Sequence, residues 1–219
     1  MSHMKILVTA GPTREPIDPV RFIGNRSSGK MGYALAKSAV ARGHDVRLIS
    51  GPVSLQAPEK ARVFNVLTAM EMLAAVTGNV EWCDALIMAA AVCDWRPSVV
   101  SGEKIKKDKD ASSLPMTRNP DILGSVSQVK GQRIFIGFAA ETGNPVAEGY
   151  RKLAAKNLDL IVANDVSRTD AGFETDMNQV YLIDGSGIVR HTPLITKDAV
   201  AEEIISWLEA RAHVSPRSF

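Results

Sequence analysis

Three groups of residues in this chain could do chemistry on a phosphorylated substrate. The first lies within Ile6 to Gly32, ILVTAGPTREPIDPVRFIGNRSSGKMG. Arg14, Arg21, Arg26 and Lys30 crowd a loop that carries Gly24 and Gly29 and reaches Gly32 in a helix start. Free backbone N–H groups at such a turn point at an anion. The second group closes the apolar run DALIMAA: Ala90, Ala91 and Asp94, a carboxylate able to hold Mg²⁺. The third is a lysine run, Lys104, Lys106, Lys107 and Lys109, within the polar segment from Asp94 to Arg118. A cationic loop, an anion site and a metal-binding carboxylate together suit a nucleoside triphosphate. Each group also has a plain reading. The glycines permit tight turns, Asp94 can simply end a strand, and the lysines alternate with Glu103, Asp108 and Asp110 as in a solvated loop. Ser27-Ser28-Gly29-Lys30 is no Walker motif, because the upstream glycine and the following Ser or Thr are missing.

Those groups must be positioned by regular elements. Ile6 to Thr9 reads as a strand. Lys30 to Arg42 has helical spacing with Met31, Leu35 and Ala39 on one face and Gly43 as its stop. Strands are expected at Asp45–Ser50, Arg62–Val66 and Asp84–Ala90, with a capping box at Thr68–Glu71 opening a helix. Asn119-Pro120-Asp121 reads as an N-cap with proline at the first helical position. Arg133–Phe138 and Leu158–Ala163 are strands flanking a helix that starts at Asn144-Pro145 and ends near Lys156. Val180–Val189 is a hairpin around Asp184-Gly185, and Ala199–Arg211 is a closing helix. This alternation gives an α/β chain with a Rossmann-like, doubly wound, mostly parallel sheet, an antiparallel hairpin addition and a long mobile lysine-rich loop.

In such sheets ligands sit beyond the carboxyl ends of the strands. Arg21, Asn25, Ala90, Ala91, Asp94, Phe138, Glu141, Asn164 and Asp165 all fall there. Phe138 can equally be core, and Asn164-Asp165 can equally be a turn. A dinucleotide-dependent dehydrogenase is disfavoured, since the second strand ends Leu48-Ile49-Ser50-Gly51 without the acid that binds ribose. The Tyr33–Lys37 pair resembles a dehydrogenase motif but lies in the first helix.

The 219 residues are 45% hydrophobic with a net charge of +2, which suits one large α/β domain and argues against nucleic-acid binding. Met1-Ser2-His3 reads as a vector remnant, residues 4–212 as one domain and residues 213–219 as a disordered tail. No run is apolar enough for a membrane span. Cys83 and Cys93 lack metal spacing and fit a reduced, cytoplasmic setting. A non-catalytic nucleotide-binding module, with Lys104–Lys109 as a docking arm, is the alternative to an enzyme.

At the motifs TAGPTREPIDPVRFIGNRSSGKMG, AAAVCDWRP, EKIKK, NPDIL, GFAAET and KNLDLIVANDVS the chain resembles bacterial phosphopantothenoylcysteine synthetases (phosphopantothenate–cysteine ligases) from Lys5 to Arg211. The resemblance implies CTP-dependent joining of 4′-phosphopantothenate and L-cysteine through an acyl-cytidylate, with release of pyrophosphate and then CMP. It implies Mg²⁺, a homodimer with a site completed across it, and association with the phosphopantothenoylcysteine decarboxylase often fused ahead of this domain. Position by position, Asn25 matches the asparagine that converts the intermediate, and Lys104 a loop lysine that closes over the reacting phosphate. Arg21 and Ala91 match phosphopantothenate contacts. Met88, Ala89, Ala90, Asp94, Pro120, Asp121, Ile122, Leu123, Phe138, Lys152 and Lys156 match the CTP site, with Asp94 near the metal. The usual small residue before that aspartate is Cys93 here.

Overall fold

The computed structural model describes residues 3–106, 113–167 and 175–214, with side chains to residue 212. Lys107, Asp108, Lys109 and Asp110 of the lysine-rich segment lie outside the described residues. The first strand, β1 (Lys5–Ala10), leads into a two-stranded ribbon of β2 (Arg14–Pro16) and β3 (Phe22–Gly24), then α1 (Lys30–Ala41), β4 (Asp45–Ser50) and β5 (Arg62–Asn65). Next come α2 (Ala69–Thr77), β6 (Ala85–Met88) and a second ribbon of β7 (Trp95–Pro97) and β8 (Met116–Arg118). The short α3 (Ile122–Val126) precedes β9 (Ile134–Glu141), α4 (Pro145–Ala155) and β10 (Leu160–Asp165). The chain ends with β11 (Met177–Asn178), the hairpin of β12 (Tyr181–Asp184) and β13 (Gly187–His191), β14 (Ile195–Thr196) and α5 (Lys197–Val214).

The main sheet has eight strands in the order β13-β12-β10-β9-β6-β1-β4-β5. From β10 to β5 every pairing is parallel, and β12 and β13 add antiparallel. Strand order reverses between β1 and β6, the switch point at which such sheets open a crevice. α1 and α5 cover one face, burying Leu35, Ala39, Ile204 and Leu208 against Ile6, Val8, Ile87, Leu160 and Val162. α2, α3 and α4 cover the other, burying Met72, Val76, Ile122, Leu123 and Leu153 against Leu7, Leu86, Phe135 and Ile161. Strands buried on both faces must be apolar on both, and β6 reads ALIM with every residue buried. The expected doubly wound sheet and its hairpin addition are therefore present. Among the described residues no helix is long and apolar enough to cross a membrane.

The sequence reading needs correction at one helix start. Asp121, not Asn119, caps α3, accepting from Gly124 N. Asn119 and Pro120 precede the helix, because Asn119 is committed elsewhere: its amide donates to Cys93 O at 2.9 Å and its oxygen accepts from Arg96. The capping box on α2 is modified. Thr68 accepts from Glu71 N, but Glu71 reaches back to Leu67 N, and Glu15 accepts from Ala69 N.

Both segments expected as plain loops contain ribbons. The turn of the β2–β3 ribbon is built on Asp18, whose side chain is fully buried. One oxygen accepts from Val20 N and Arg21 N, and the other from the Arg21 guanidinium and Ile105 N. Arg21 also donates to Ile105 O at 3.1 Å. The root of the lysine-rich segment is thus tied to the ribbon beside it.

Two predictions follow from this packing. A Cβ added at Gly51 would lie 1.9 Å from Pro12 O, a backbone atom, whereas one at Gly43, φ +84°, would meet nothing within 4 Å. In chemical denaturation, Gly51→Ala should cost about 3 kcal/mol or more, against about 1 kcal/mol for Gly43→Ala. Equal costs would mean that the segment after β1 yields freely. The second concerns Asp18. Its hydrogen bond with Arg21 holds the carboxyl well below its ordinary value of 3.8. A depressed folded pKa contributes stability above the unfolded value and loses it as pH falls through the folded one. The wild type should therefore lose stability more steeply than Asp18→Asn once the pH drops below 3.8. Parallel acid-unfolding curves would remove Asp18 from the balance.

Candidate functional site

A cleft of about 850 Å³ opens at the carboxyl ends of β1, β6, β9 and β10, over the switch point. Its walls are set by backbone contacts between the segments after β1 and β6. Ala91 N donates to Gly11 O at 2.9 Å, Thr13 N to Ala91 O at 3.2 Å, and Cys93 N to Thr13 Oγ1 at 2.9 Å. Glycines make this approach possible. Gly11 has φ +76° and Gly29 φ +79°, and a Cβ on Gly32 would fall 2.5 Å from that of Ala10. Gly29 is the N-cap of α1, without a side-chain cap and with no acidic residue in the first turn. The positive end of α1 therefore faces the cleft, and Ser27, Ser28, Gly29 and Lys30 line it.

Most of the residues singled out in the sequence meet here. Asn25 lies on the α1 side, Met88 to Ala91 and Asp94 along the middle, and Phe138 on the floor. Pro120, Asp121, Ile122, Leu123, Lys152 and Lys156 form the α3–α4 end. Arg21 and Lys104 do not line the cleft. Arg21 is held by Asp18 and the Ile105 carbonyl, and Lys104, next to that carbonyl, is exposed. Glu141 is the last residue of β9 and pairs with Lys152, while Lys156 pairs with Asp121 at 3.2 Å. Of the Tyr33–Lys37 pair, Tyr33 bonds Ser50 and Lys37 pairs with Asp198.

The local bonding limits what each group can do. Asn25 donates its amide to Ala91 O at 3.2 Å and Val92 O at 3.1 Å, bridging the ribbon to the β6 rim. The N–H groups of Ala90 and Ala91 are already bonded, to Thr9 Oγ1 and Gly11 O. Cys93 is buried against Thr13 O, and burial pushes its thiol pKa up. Asp94 is exposed on the cleft wall. Among the described residues no three His, Cys, Asp or Glu side chains cluster as a metal cage. One carboxylate fits only a hard cation held mainly by substrate oxygens and water, as Mg²⁺ is.

Lys30, read in the sequence as part of the anion loop, and Asn164, read as a strand-end position, do line the cleft, whereas Lys197 and Asn178 were absent from the sequence-based site. Lys30 pairs with Asp176 at 2.6 Å. Lys197 opens α5, is buried, and donates to Thr175 O at 2.6 Å; burial, with Lys30 nearby, lowers its pKa. Asn178 lies in β11, and Asn164 is a strand residue opposite Ala140 rather than part of a turn. Asp165 does make the turn, accepting from Ser167 N. A signal for Asn164 was present: a carboxamide closing the otherwise apolar run LIVA at a sheet's carboxyl edge. Nothing local marks Lys197 or Asn178, which are brought in by the chain's last ribbon and helix.

Comparison with known proteins agrees with this geometry. Residues 1–211 match the family described as the DNA/pantothenate metabolism flavoprotein C-terminal domain. The coenzyme A biosynthesis bifunctional protein CoaBC of Escherichia coli K12 is 44% identical over 217 residues, covering 96% of this chain and 53% of that protein. CoaBC of Bacillus subtilis 168 is 46% identical over 206 residues, covering 94% of this chain and 51% of that protein. The chain spans about half the length of these curated relatives. A crystal structure of the C-terminal domain of CoaBC superposes with a TM-score of 0.83 at 40% identity, covering 96% of each chain. By sequence and by fold, the chain belongs to the DNA/pantothenate metabolism flavoprotein C-terminal domain family, together with the C-terminal domain of CoaBC.

Proposed function

We propose that this chain ligates 4′-phosphopantothenate to L-cysteine at the expense of CTP, releasing pyrophosphate and CMP, as a step of coenzyme A biosynthesis. One observation carries the reading. A single cleft at the switch point gathers Asn25, Ala91, Asp94, Phe138, Lys152 and Lys156 beside an uncapped helix N-terminus. The family relation to CoaBC, named for coenzyme A biosynthesis, supports it.

A carboxylate is a poor acyl donor, and attack on CTP converts it to one with a good leaving group. The carboxylate oxygen attacks the α-phosphorus, and the bond to the bridging oxygen breaks, its electron pair leaving with pyrophosphate. The cysteine amine then attacks the acyl carbon. CMP departs with the C–O electron pair, and the amine loses a proton. The nucleoside lies toward Phe138, Lys152 and Lys156, and the triphosphate runs toward α1, whose dipole and Lys30 favour negative charge. Mg²⁺ would be held by Asp94 and would neutralise phosphate charge when bound. Asn25, fixed against the Ala91 and Val92 carbonyls, keeps its amide oxygen for the intermediate or the incoming amine.

The two ribbons supply the reading of the homodimer. Val20, Phe22, Trp95, Val99, Val100 and Leu114 expose apolar surface on them, at the side that carries Arg21. A second copy covering this surface brings Arg21 to the partner's phosphopantothenate and completes each site across the interface. Cys83 and Cys93 are buried and form no disulfide, in keeping with a cytoplasmic setting.

Pyrophosphate release in a single turnover tests the activity. The wild type should release it from CTP only when phosphopantothenate is added. Asn25→Asp loses the donor and sets an anion against two carbonyls, so it should form acyl-cytidylate yet pass it to cysteine slowly. Loss of pyrophosphate release with CTP still bound would assign Asn25 to the first step. Lys104→Gln should keep CTP affinity while the first step slows by about 10²–10³; a defect confined to CTP affinity would make it a binding residue. For Arg21, mixing inactive Arg21→Ala with inactive Asn25→Asp should restore about a quarter of the wild-type sites, through heterodimers that hold one intact site. No recovery on mixing would place Arg21 in its own subunit's site.

A further inference from the structure

Two carboxylates line the cleft among the described residues. Asp121 pairs with Lys156 at 3.2 Å, whereas the Asp94 side chain makes no hydrogen bond or ion pair among the described residues. Such a side chain takes its direction from its own backbone, and one residue holds that backbone. The Asn119 amide donates to Cys93 O at 2.9 Å, and the Asn119 N–H donates to Asp94 O at 2.8 Å. These carbonyls belong to the two peptide planes on either side of the Asp94 Cα. Each plane is rigid, so restraining both restrains the φ and ψ of Asp94 and leaves its side-chain torsions free. The preceding residue is anchored from its other end as well, by Cys93 N on Oγ1 of the fully buried Thr13.

The clamp is itself oriented. Arg96 Nη1 donates to Asn119 Oδ1 at 2.8 Å and to Arg118 O at 2.9 Å. The carboxamide must then turn its NH₂ end to Cys93 O, because the reverse orientation would set oxygen against oxygen there and NH₂ against the guanidinium. Asn119 follows directly on β8, the strand by which the chain returns from the lysine-rich segment. Its two bonds join that return to the cleft wall at Asp94. Resting on the ligase reading above, we propose that Asn119 is a positioning residue for the first half-reaction. It acts through Asp94, aiming the carboxylate at the place where Mg²⁺ and the phosphates are held, and Arg96 supports it by fixing its oxygen. A displacement of about 1 Å at a reacting centre can cost about 10²-fold in rate. Transfer of the acyl group to cysteine does not draw on this clamp.

A double-mutant cycle on the full chain tests the assignment. Asn119→Leu keeps the bulk and removes both side-chain bonds. Pyrophosphate release in a single turnover should slow about tenfold or more, while CTP affinity without Mg²⁺ stays within about twofold. Asp94→Asn should slow the same step, and adding Asn119→Leu to it should cost little more. A binding readout accompanies the rate. The gain in CTP affinity on adding Mg²⁺, measured by calorimetry, should shrink alike in both single variants and no further in the double variant. Arg96→Gln, which frees Asn119 Oδ1, should show the same pattern in weaker form, and keeps the test decisive if Asn119→Leu does not fold. A full Asn119→Leu defect in the Asp94→Asn background would overturn the proposal. So would equal weakening of CTP with and without Mg²⁺, which would make Asn119 a general support of the cleft wall. The ligase reading is scored on the wild type alone. A wild type that releases no pyrophosphate, but whose Mg²⁺ gain depends on Asn119 only when Asp94 is present, would sink that reading and leave the clamp standing.

Discussion

The structure depends on a backbone seam between two segments that leave neighbouring strands at the point where strand order reverses. The chain after β1 and the chain after β6 run together, with Ala91 bonded to Gly11 and Thr13, and Cys93 to Thr13. Two main chains can lie this close only where side chains are small or absent. Gly11, Gly51, Ala90 and Ala91 meet that condition, and Gly51 sits directly against Pro12 O. The seam fixes the rim of the cleft. It also occupies the N–H groups of Ala90 and Ala91 within the fold.

Charge is arranged around that rim in pairs at its two ends. Lys152 with Glu141 and Lys156 with Asp121 stand at the α3–α4 end, and Lys30 with Asp176 stands at the α1 end. The Lys30–Asp176 and Lys156–Asp121 pairs each have one exposed carboxylate, and pairs of this kind contribute little to stability. The buried groups behave differently. Asp18 is surrounded by donors and locks the ribbon turn, and Glu15 holds the first turn of α2 to the same ribbon.

The ribbons explain why Arg21 and Lys104 stand apart from the other matched residues. Both belong to segments that leave the sheet, cross over one another and expose apolar side chains. The hydrogen bonds from Arg21 and Ile105 to Asp18 make the two segments one mechanical unit.

Much of this protein was legible in its sequence because the signals are local or periodic. The apolar run in β6, the face of α1 and the cap residues Thr68 and Asn144 each depend on spacing along the chain, and all occur as read. The long motifs brought most of the cleft residues into view before any contact was known. The tertiary structure decided what spacing cannot express. Asn119 leaves the helix cap because Cys93 O and Arg96 lie beside it, and Arg21 turns to Asp18 and Ile105. Of the two readings of Asn164, a strand-end position or a turn, the fold takes the first: it lies in β10 and lines the cleft, joined by Lys197 from a helix that starts 33 positions later. A residue's type sets which bonds it can make; only the folded chain decides which partners come within about 3 Å of it.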